Sequence, residues 1–308
     1  MQPSVARKRP FPWHIIVFLA PAVLVYTIFM IYPLVDSLRL SFFTQDTRRV
    51  ETFAGLQNYV QLMTDSSLAP RFWNALRNNL VFFAVHMLVQ NPIALLLATL
   101  LSRGGRSRSV YRALIFTPTL LSVVIIGFIW QRILNPLWGI APGLLRAIGH
   151  PELVQPWLGK PDTALITVGL ISVWQFIGIP MMLFYTALIG IPEELTEAAR
   201  VDGASPWDIF WRIKFPLLLP TVGIVSVLTF VGNFNAFDLI YTMQGALAGP
   251  NFATDIMGTL FYRTFFGFQL QLGNPTMGAT VSTLMFLIIL AGVSIYFAWQ
   301  RRVQTYEL

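Results

Sequence analysis

Residues 191–210 read IPEELTEAARVDGASPWDIF and carry five of the 14 acidic residues of the chain. An uncharged run of more than 20 residues precedes this stretch, and a second such run follows it. A bilayer about 30 Å thick needs about 20 apolar residues per helix, whereas the core of a soluble domain does not. The sequence therefore predicts a water-facing segment held between two membrane spans.

The composition of the whole chain agrees with a membrane protein. Of its 308 residues, 55% are hydrophobic and only 11% are charged, and the mean hydropathy is +0.63. The chain has no cysteine, which excludes disulfides and thiolate chemistry. Its net charge of +7 fits the positive cytoplasmic fringe of a membrane protein, and no basic patch interleaved with aromatic residues indicates nucleic-acid binding. The predicted class is an all-α, polytopic bundle of transmembrane helices.

Six apolar segments predict six spans in one transmembrane domain, residues 13–300, between short tails 1–12 and 301–308. The first segment is too long for a secretory signal and offers no small-residue cleavage site. The predicted spans are Trp13–Leu34, Leu80–Leu101, Ala113–Gln131, Ala164–Gly190, Phe215–Ile240 and Ala279–Trp299.

The distribution of lysine and arginine predicts the orientation. With the N-terminus inside, the 55 residues of the inside segments hold 12 of the 21 Lys and Arg residues. The 114 residues of the outside segments hold the other nine. Because cytoplasmic loops carry the excess of positive charge, both termini and the acidic loop 191–214 are predicted to face the cytoplasm.

Local signals predict two short helices within this loop. Pro192 suits the first helical position, where its missing N–H costs nothing. Gly203 ends the helix, because glycine adopts the left-handed conformation cheaply. Ser205 and Asp208 then have the spacing of a capping box that starts a second helix. Leu195, Ala198 and Ala199 are predicted to form one small apolar face.

The motif Glu197-Ala198-Ala199, followed by Asp202-Gly203-Ala204 and by Phe210, Ile213, Pro216 and Pro220, resembles the EAA motif of binding-protein-dependent ABC permeases. Phe215 stands where this family usually has leucine before the first proline. The resemblance implies a type I ABC importer permease fold. It also implies that the loop is the coupling helix that docks in a cleft of the ATP-binding subunit. Glu197, Ala198, Ala199, Asp202, Gly203 and Ala204 would then couple the chain to the ATPase.

Further segments resemble the first permease subunit of maltose-type sugar importers, in the six-span form of glycerol-phosphate and disaccharide permeases. Examples are Ala20-Pro21-Ala22, Asn135-Pro136 and Phe237-Asp238-Leu239-Ile240-Tyr241. This resemblance implies a bacterial inner-membrane protein that transports a carbohydrate. Its implied partners are a second permease subunit in a heterodimer, two copies of an ATP-binding subunit and an extracytoplasmic solute-binding protein.

The chain lacks the motif that would let it bind ATP itself. Gly159-Lys160 is followed by Pro161, so no phosphate-binding loop occurs. We therefore expect no cofactor in this chain and no enzymatic activity, with ATP bound by partner subunits. The histidines His14, His86 and His150 are scattered, which favours helix packing over metal binding or catalysis.

The predicted solute path rests on polar and aromatic residues at membrane depth, because these usually face a cavity or another helix. Amides beside aromatic rings suit a sugar, whose hydroxyls need hydrogen bonds and whose C–H faces stack on rings. On one helix Asn233 and Asn235 would point to different sides, and Pro180 is expected to kink the fourth span. His86, Gln90, Asn91 and Pro92 are weaker candidates. The candidates are Trp174, Gln175, Gly178, Asn233, Phe234, Asn235 and Asp238.

Two other classes of protein were weighed. A stand-alone secondary transporter or channel is disfavoured by the acidic loop and by the absence of a relay of charges at the membrane midplane. A solute-sensing receptor would need a larger cytoplasmic domain. Within the importer class, the sequence leaves open an oligosaccharide, a monosaccharide, a polyol or glycerol phosphate, although the absence of a basic cluster in the spans disfavours a phosphate ester.

Overall fold

A computed structural model describes residues 13–45, 50–269 and 271–300, and for residues 13–16 and 299 it describes the backbone alone. The predicted tails 1–12 and 301–308 lie outside the described residues. Within the described ranges the chain is mainly α-helical, and its strands form two short antiparallel pairs. The all-α class predicted from the sequence is therefore confirmed for this part of the chain.

The helices and strands follow one another in this order. The first half contains α1 (Trp13–Tyr26), α2 (Tyr32–Leu40), β1 (Phe43–Gln45), β2 (Glu51–Phe53), α3 (Gln57–Thr64), α4 (Ala69–Val85), α5 (Asn91–Ser102), α6 (Arg108–Leu120), α7 (Val123–Ile133) and α8 (Ile140–Ala147). The second half contains α9 (Pro161–Phe176), α10 (Gly178–Ile189), α11 (Glu193–Val201), α12 (Pro206–Ile209), α13 (Phe215–Phe234), α14 (Asp238–Gln244), α15 (Met257–Phe266), β3 (Gly267–Phe268), β4 (Gln271–Leu272) and α16 (Pro275–Gln300). Wider π-helical turns at Thr27–Ile31, His86–Gln90 and Phe210–Lys214 join α1 to α2, α4 to α5 and α12 to α13.

Four of the described helices are long and apolar enough to cross a membrane. They are Val17–Leu40, Ala69–Ser102, Pro206–Phe234 and Pro275–Ala298. The bent pairs α6–α7 and α9–α10 raise the number to six if each pair forms one span. These six units follow the order of the six apolar segments in the sequence, but the third and fourth are bent and the fifth is shorter than predicted.

The third predicted span, Ala113–Gln131, is not one straight helix. It breaks after Leu120, and α6 and α7 meet at an angle of 96°. Leu121 and Ser122 adopt extended backbone at the break, and Pro118 has no N–H with which to continue the ladder of hydrogen bonds. Apolarity alone does not show a break of this kind, because both sides of it belong to one uncharged run of sequence.

The fourth predicted span bends where Pro180 predicts a kink. The angle between α9 and α10 is 45°, and the break lies at Ile177. Proline cannot donate a hydrogen bond to the carbonyl four residues earlier, which here is that of Phe176. The bend therefore falls one turn before the proline.

The fifth predicted span, Phe215–Ile240, ends early. Helix α13 stops at Phe234, three non-helical residues follow, and Asp238 begins the separate helix α14. The Asn79 side chain donates a hydrogen bond of 2.9 Å to the Asn233 carbonyl, which belongs to the last turn of α13. A side chain distant in sequence thus adds a bond to a carbonyl at the end of the helix, where the Ala236 N–H donates at only 3.4 Å.

Close contacts between small residues and large side chains hold the helices together. Ala94 and Ala98 of α5 are fully buried at the contact with α10, where Phe184 is also buried. Such small residues let membrane helices approach closely, and van der Waals contact then stabilises the pair. Two further clusters form around Phe82, Val168 and Ile240, and around Phe72, Met257 and Met277.

Helices α13 and α16 cross at two glycines. A Cβ atom placed on Gly292 would lie 2.6 Å from Phe230 Cζ, and one placed on Gly223 would lie 2.6 Å from Tyr296 Cε2. Ordinary van der Waals contact needs more than 3.4 Å. Each glycine is therefore required by a bulky ring on the opposite helix.

We expect Gly292→Val to lower the free energy of unfolding by about 1–3 kcal/mol, because it forces the Phe230 ring or helix α16 to move. The measurement is the temperature at which the detergent-solubilised protein loses its monodisperse peak in size-exclusion chromatography. Gly232→Val is the matched control, since nothing lies within 4 Å of a Cβ atom on that α13 glycine. Equal midpoints for the two variants would contradict this account of the helix crossing.

Candidate functional site

Helix α11 forms the first half of the acidic loop. It begins at Glu193, and Pro192 is the N-cap residue, one position before the site that the sequence predicts for it. Glu193 and Glu194 lie in the first turn and Arg200 in the last, so the charges oppose the helix macrodipole at both ends. The helix is therefore stabilised by its own local sequence.

Gly203 ends α11 with the geometry that the sequence predicts. Its φ is +80°, in the left-handed region that favours glycine. The Ala204 N–H donates to the Ala199 carbonyl at 2.9 Å, and the Gly203 N–H donates to the Arg200 carbonyl at 3.0 Å. These two bonds form a complete Schellman motif, which fixes the angle at which the chain leaves the helix.

The second half of the loop starts a long helix rather than the predicted second short one. Ser205 caps α12, with its Oγ accepting a hydrogen bond of 3.2 Å from the Asp208 N–H and donating one to the Asp208 carboxylate. From Pro206 the helix continues through α13 to Phe234. A turn at Gly203 therefore connects directly to a helix that is long enough to cross the membrane.

The loop presents most of its motif residues to solvent. Glu197, Ala198, Asp202 and Gly203 are exposed, and Ala204 is half-buried. Leu195, Ala198 and Ala199 lie within one α-helix at the predicted spacing, but only Ala199 is buried. Because Thr196 is buried as well, residues three apart face the bundle while Leu195 and Ala198 face outward.

A cavity of about 430 Å³ forms the second candidate site. It lies between α4 with the π-helical turn His86–Gln90, the start of α7, the bent pair α9–α10, and helices α13 and α14. Its lining is mostly apolar, with a few polar side chains among aromatic ones, as in many sites for small molecules. The residues that line it include Phe82, His86, Gln90, Ser172, Phe176, Pro180, Thr229, Asn233, Asn235, Phe237 and Asp238.

Three of the residues predicted for the solute path line this cavity: Asn233, Asn235 and Asp238. Asn233 lies in the last turn of α13 and Asn235 is the C-cap residue of that helix, and both contribute to the lining although they are two residues apart. Asn235 and Asp238 are exposed, whereas Asn233 is buried with its Nδ2 donating to the Thr229 carbonyl at 2.7 Å.

The other four predicted path residues, Trp174, Gln175, Gly178 and Phe234, do not line the cavity. Trp174 packs edge-on against a tryptophan of α7, and Phe234 is fully buried against Phe230. A Cβ atom on Gly178 would lie 2.9 Å from the backbone of α6.

Gln175 supports the two bends instead. It is fully buried, and its Nε2 donates to the Leu121 carbonyl at 3.2 Å, at the break between α6 and α7. Thr119 Oγ1 donates to the Gln175 carbonyl at 2.9 Å. This pair of bonds ties the bend of the third span to that of the fourth.

The second span contributes more to the cavity than the sequence suggests. His86 Nε2 lies 3.0 Å from Ser172 Oγ, and His86 Nδ1 lies 2.8 Å from the Phe82 carbonyl oxygen. His86 is thus a helix-packing residue, as predicted, and it also lines the cavity beside Gln90. The available signal was polarity at membrane depth, but this signal does not tell which neighbour a side chain meets.

Comparison with known proteins identifies relatives over most of the chain. Residues 90–305 match the family described as "Binding-protein-dependent transport system inner membrane component". The probable ABC transporter permease protein YurN of Bacillus subtilis (strain 168) is 33% identical, over 89% of this chain and 91% of YurN. The lactose transport system permease protein LacF of Rhizobium radiobacter is 29% identical, over 96% of this chain and 97% of LacF.

A solved structure has the same fold. A chain in the crystal structure of a bacterial ABC transporter for the acidic polysaccharide alginate matches with a TM-score of 0.79. The match covers 95% of this chain and 96% of that chain, at 21% sequence identity. At this identity the similarity establishes the fold alone, and the solute of that transporter does not indicate the solute of this protein.

Proposed function

The chain belongs to the family of binding-protein-dependent transport system inner membrane components, and from this premise we propose that it is the permease subunit of an ATP-driven carbohydrate importer. One observation carries the proposal. A loop with the geometry of a docking element, capped at Ser205 and turned at Gly203, continues directly into a helix that lines the mostly apolar cavity with its few polar and aromatic side chains. Movement of the loop can therefore be transmitted to the solute path.

The loop 191–214 would engage the ATP-binding subunit through the exposed outer face of α11. Glu197, Ala198, Asp202 and Gly203 are accessible for such a contact. Ala199 and Ala204 would contribute indirectly, because the hydrogen bond between their backbones holds the turn that orients α11. ATP would shift the permease between inward-facing and outward-facing states only through different contacts with the two states.

The cavity would hold part of the solute path. Asn233, Asn235 and Asp238 are the predicted path residues that remain in this role. Trp174, Gln175, Gly178 and Phe234 would act indirectly, by packing the helices that form the walls. A carbohydrate is favoured because amides and aromatic rings share the lining, and the sugar named for the relative LacF is consistent with this class.

The proposal includes an assembly and a location. A second permease subunit would form a heterodimer with this chain, two ATP-binding subunits would dock on the loops, and an extracytoplasmic binding protein would deliver the solute. The first apolar helix supports the assembly, because its described side chains between Val17 and Tyr32 are exposed and need lipid or another subunit as neighbours. We propose six spans in residues 13–300, with both termini and the loop on the cytoplasmic side of a bacterial inner membrane.

Reconstitution tests the proposal directly. The complete transporter in proteoliposomes is expected to take up sugar only with internal ATP, and omission of the ATP-binding subunit is expected to reduce uptake to the background level. The matched control contains this chain and the second permease subunit with an imposed proton or sodium gradient. Uptake driven by the gradient alone would contradict the proposal and favour a secondary transporter or channel.

A further inference from the structure

A polar cleft of about 970 Å³ lies between helix α11 and the helix ends beside it, and we call it the loop cleft. The last turn of α5, the end of α10, helix α11 and the first turns of the helix that begins at Pro206 form its walls. It shares no residue with the membrane cavity, and none of the four exposed residues proposed to contact the ATP-binding subunit lines it. The proposed function therefore leaves this cleft without a role.

The loop cleft meets the inward face of α11. Glu193, Thr196 and Arg200 line it, and their spacing of three and four residues places them on one side of the helix. Thr196 is 7% exposed, and its hydroxyl makes no hydrogen bond within the described part of the chain. This hydroxyl is not among the enclosed polar atoms of the bundle and keeps accessible surface toward the cleft. A hydroxyl group this deep in the protein needs a partner, and the cleft is where that partner would lie.

Five charged side chains line the loop cleft, and they include both signs. Glu193, Glu194 and Arg200 belong to α11, Arg103 is the C-cap residue of α5, and Lys214 immediately precedes α13. None of the five takes part in an ion pair within the described residues. Cations and carboxylates of one cleft therefore remain available for a partner that carries both charges.

The loop cleft lies where three spans end on the same side of the bundle. The second span ends at Ser102, the fourth ends at Ile189, and the uncharged run of the fifth begins at Phe215. Phospholipid headgroups occupy the layer just beyond the hydrocarbon core, at the ends of such spans. Ile189 is 56% exposed and lines the cleft, as does the half-buried Phe210, so apolar side chains are available for the glycerol and acyl part of a lipid.

The mixture of charges selects the kind of headgroup. Basic pockets between helices on the cytoplasmic side of a membrane bind lipid phosphates. Two carboxylates in the same cleft disfavour a purely anionic headgroup, because like charges repel, and they favour one that also carries an ammonium group. A primary ammonium group donates three strong hydrogen bonds to such acceptors, whereas a fully methylated one donates none. A headgroup with a phosphate and a primary ammonium matches both sets of side chains.

We propose that the loop cleft binds the headgroup of an aminophospholipid of the cytoplasmic leaflet. Arg103 and Lys214 donate hydrogen bonds to the phosphate, and the Thr196 hydroxyl donates a further one. The carboxylates of Glu193 and Glu194 accept hydrogen bonds from the ammonium group. The bound lipid joins α11 to the ends of α5 and α10 and to the start of α13, and so supports the acidic loop from its inward side. This inference rests on the proposed cytoplasmic position of the loop and adds a lipid ligand to it.

Native mass spectrometry of the complete, delipidated transporter measures this binding directly. Dioleoylphosphatidylethanolamine is titrated beside dioleoylphosphatidylcholine, whose ammonium group is methylated, and dioleoylphosphatidylglycerol, which has no ammonium group. We expect the ethanolamine lipid to bind about tenfold more tightly than the choline lipid, because the choline lipid loses at least one hydrogen bond to a charged group. The ethanolamine lipid should also bind more tightly than the glycerol lipid.

Variants assign the binding to the loop cleft. Lys214→Gln is expected to weaken the binding of all three lipids, because each contains a phosphate. The double variant Glu193→Gln/Glu194→Gln is expected to remove the preference for the ethanolamine lipid over the glycerol lipid. Arg212→Gln is the matched control for Lys214→Gln, because Arg212 lies two residues away, pairs with Asp208 and does not line the cleft. This control should bind all three lipids as the wild type does.

The remaining outcomes would overturn the proposal. Equal affinities for the three lipids, or wild-type binding in Lys214→Gln, would show that the cleft is not a headgroup site. Tightest binding of the glycerol lipid would assign it to an anionic lipid, and equally tight binding of soluble phosphoethanolamine would assign it to a soluble ligand. Lipid binding that occurs only after removal of the ATP-binding subunits would assign the cleft to those subunits. Because none of these measurements requires transport, a failure of ATP-dependent uptake would overturn the proposed function and leave the lipid site intact.

Discussion

Gly203→Arg is expected to abolish solute uptake and solute-stimulated ATP hydrolysis while the chain still inserts into the membrane. The left-handed φ of +80° costs a non-glycine residue about 1–2 kcal/mol, which is too little to unfold the bundle. Nothing lies within 4 Å of a Cβ atom at this position, so the new side chain projects outward from the turn. It would stand where the ATP-binding subunit is proposed to dock.

Matched variants separate docking from backbone strain. Gly104→Arg introduces the same side chain at a glycine with φ of +92° and equally open surroundings, in the loop between α5 and α6. We expect this control to retain uptake. Gly203→Ala, which adds strain without bulk, should give an intermediate rate. Glu197→Lys should match the loss in Gly203→Arg, and normal solute-stimulated ATPase activity in either variant would contradict the coupling role of the loop.

Arg263→Met is expected to destabilise the folded chain by about 3–5 kcal/mol, which is typical of breaking a buried ion pair. Arg263 and Asp255 are 2% and 0% exposed, and two bonds of 2.6 and 3.2 Å join the guanidinium to the carboxylate. Arg263 also donates to the Ala246 carbonyl at 2.8 Å. Removal of the guanidinium leaves a buried carboxylate without its cation. The free energy of unfolding is measured by thermal denaturation of the purified transporter in detergent.

This effect should depend on pH. Burial raises the pKa of Asp255, and the variant also removes the opposing effect of Arg263. A raised pKa in the folded state means that the carboxylate destabilises the fold above the pKa of the unfolded chain. The deficit of Arg263→Met should therefore shrink as pH falls and the folded state takes up a proton. A pH-independent deficit would contradict this explanation.

Two control variants test whether burial of the ion pair causes the effect of Arg263→Met. The double variant Arg263→Met/Asp255→Val removes both charges and should recover much of the loss, because apolar replacements of a buried pair are often tolerated. Arg39→Met breaks an exposed interaction with Asp36 and Glu51 and should cost less than about 1 kcal/mol. A cost in Arg39→Met as large as that in Arg263→Met would show that burial is not the cause.

Several features of this protein could be predicted because they depend on neighbouring residues alone. The lengths of the uncharged runs identified six apolar segments, because each helix that crosses a bilayer needs about 20 apolar residues of its own. The turn at Gly203 and the cap at Ser205 were predicted as well, because each is a contact between residues at most five positions apart. The motif at Glu197 also placed the chain in its family, which the comparison confirmed.

The amino-acid sequence by itself therefore determined the membrane class, the order of the apolar segments and the turn within the acidic loop. Only the tertiary structure decided which polar residues meet the cavity. Gln175 and Gln90 are both amides at membrane depth, yet one supports the bend at Leu121 and the other lines the cavity. The bond from Gln175 to Leu121 at the bend of α6 and α7, and the bond from Asn79 to the end of α13, each join residues far apart in the chain. A polar side chain in a membrane must find a partner, and its sequence neighbours do not reveal which partner the packing brings within reach.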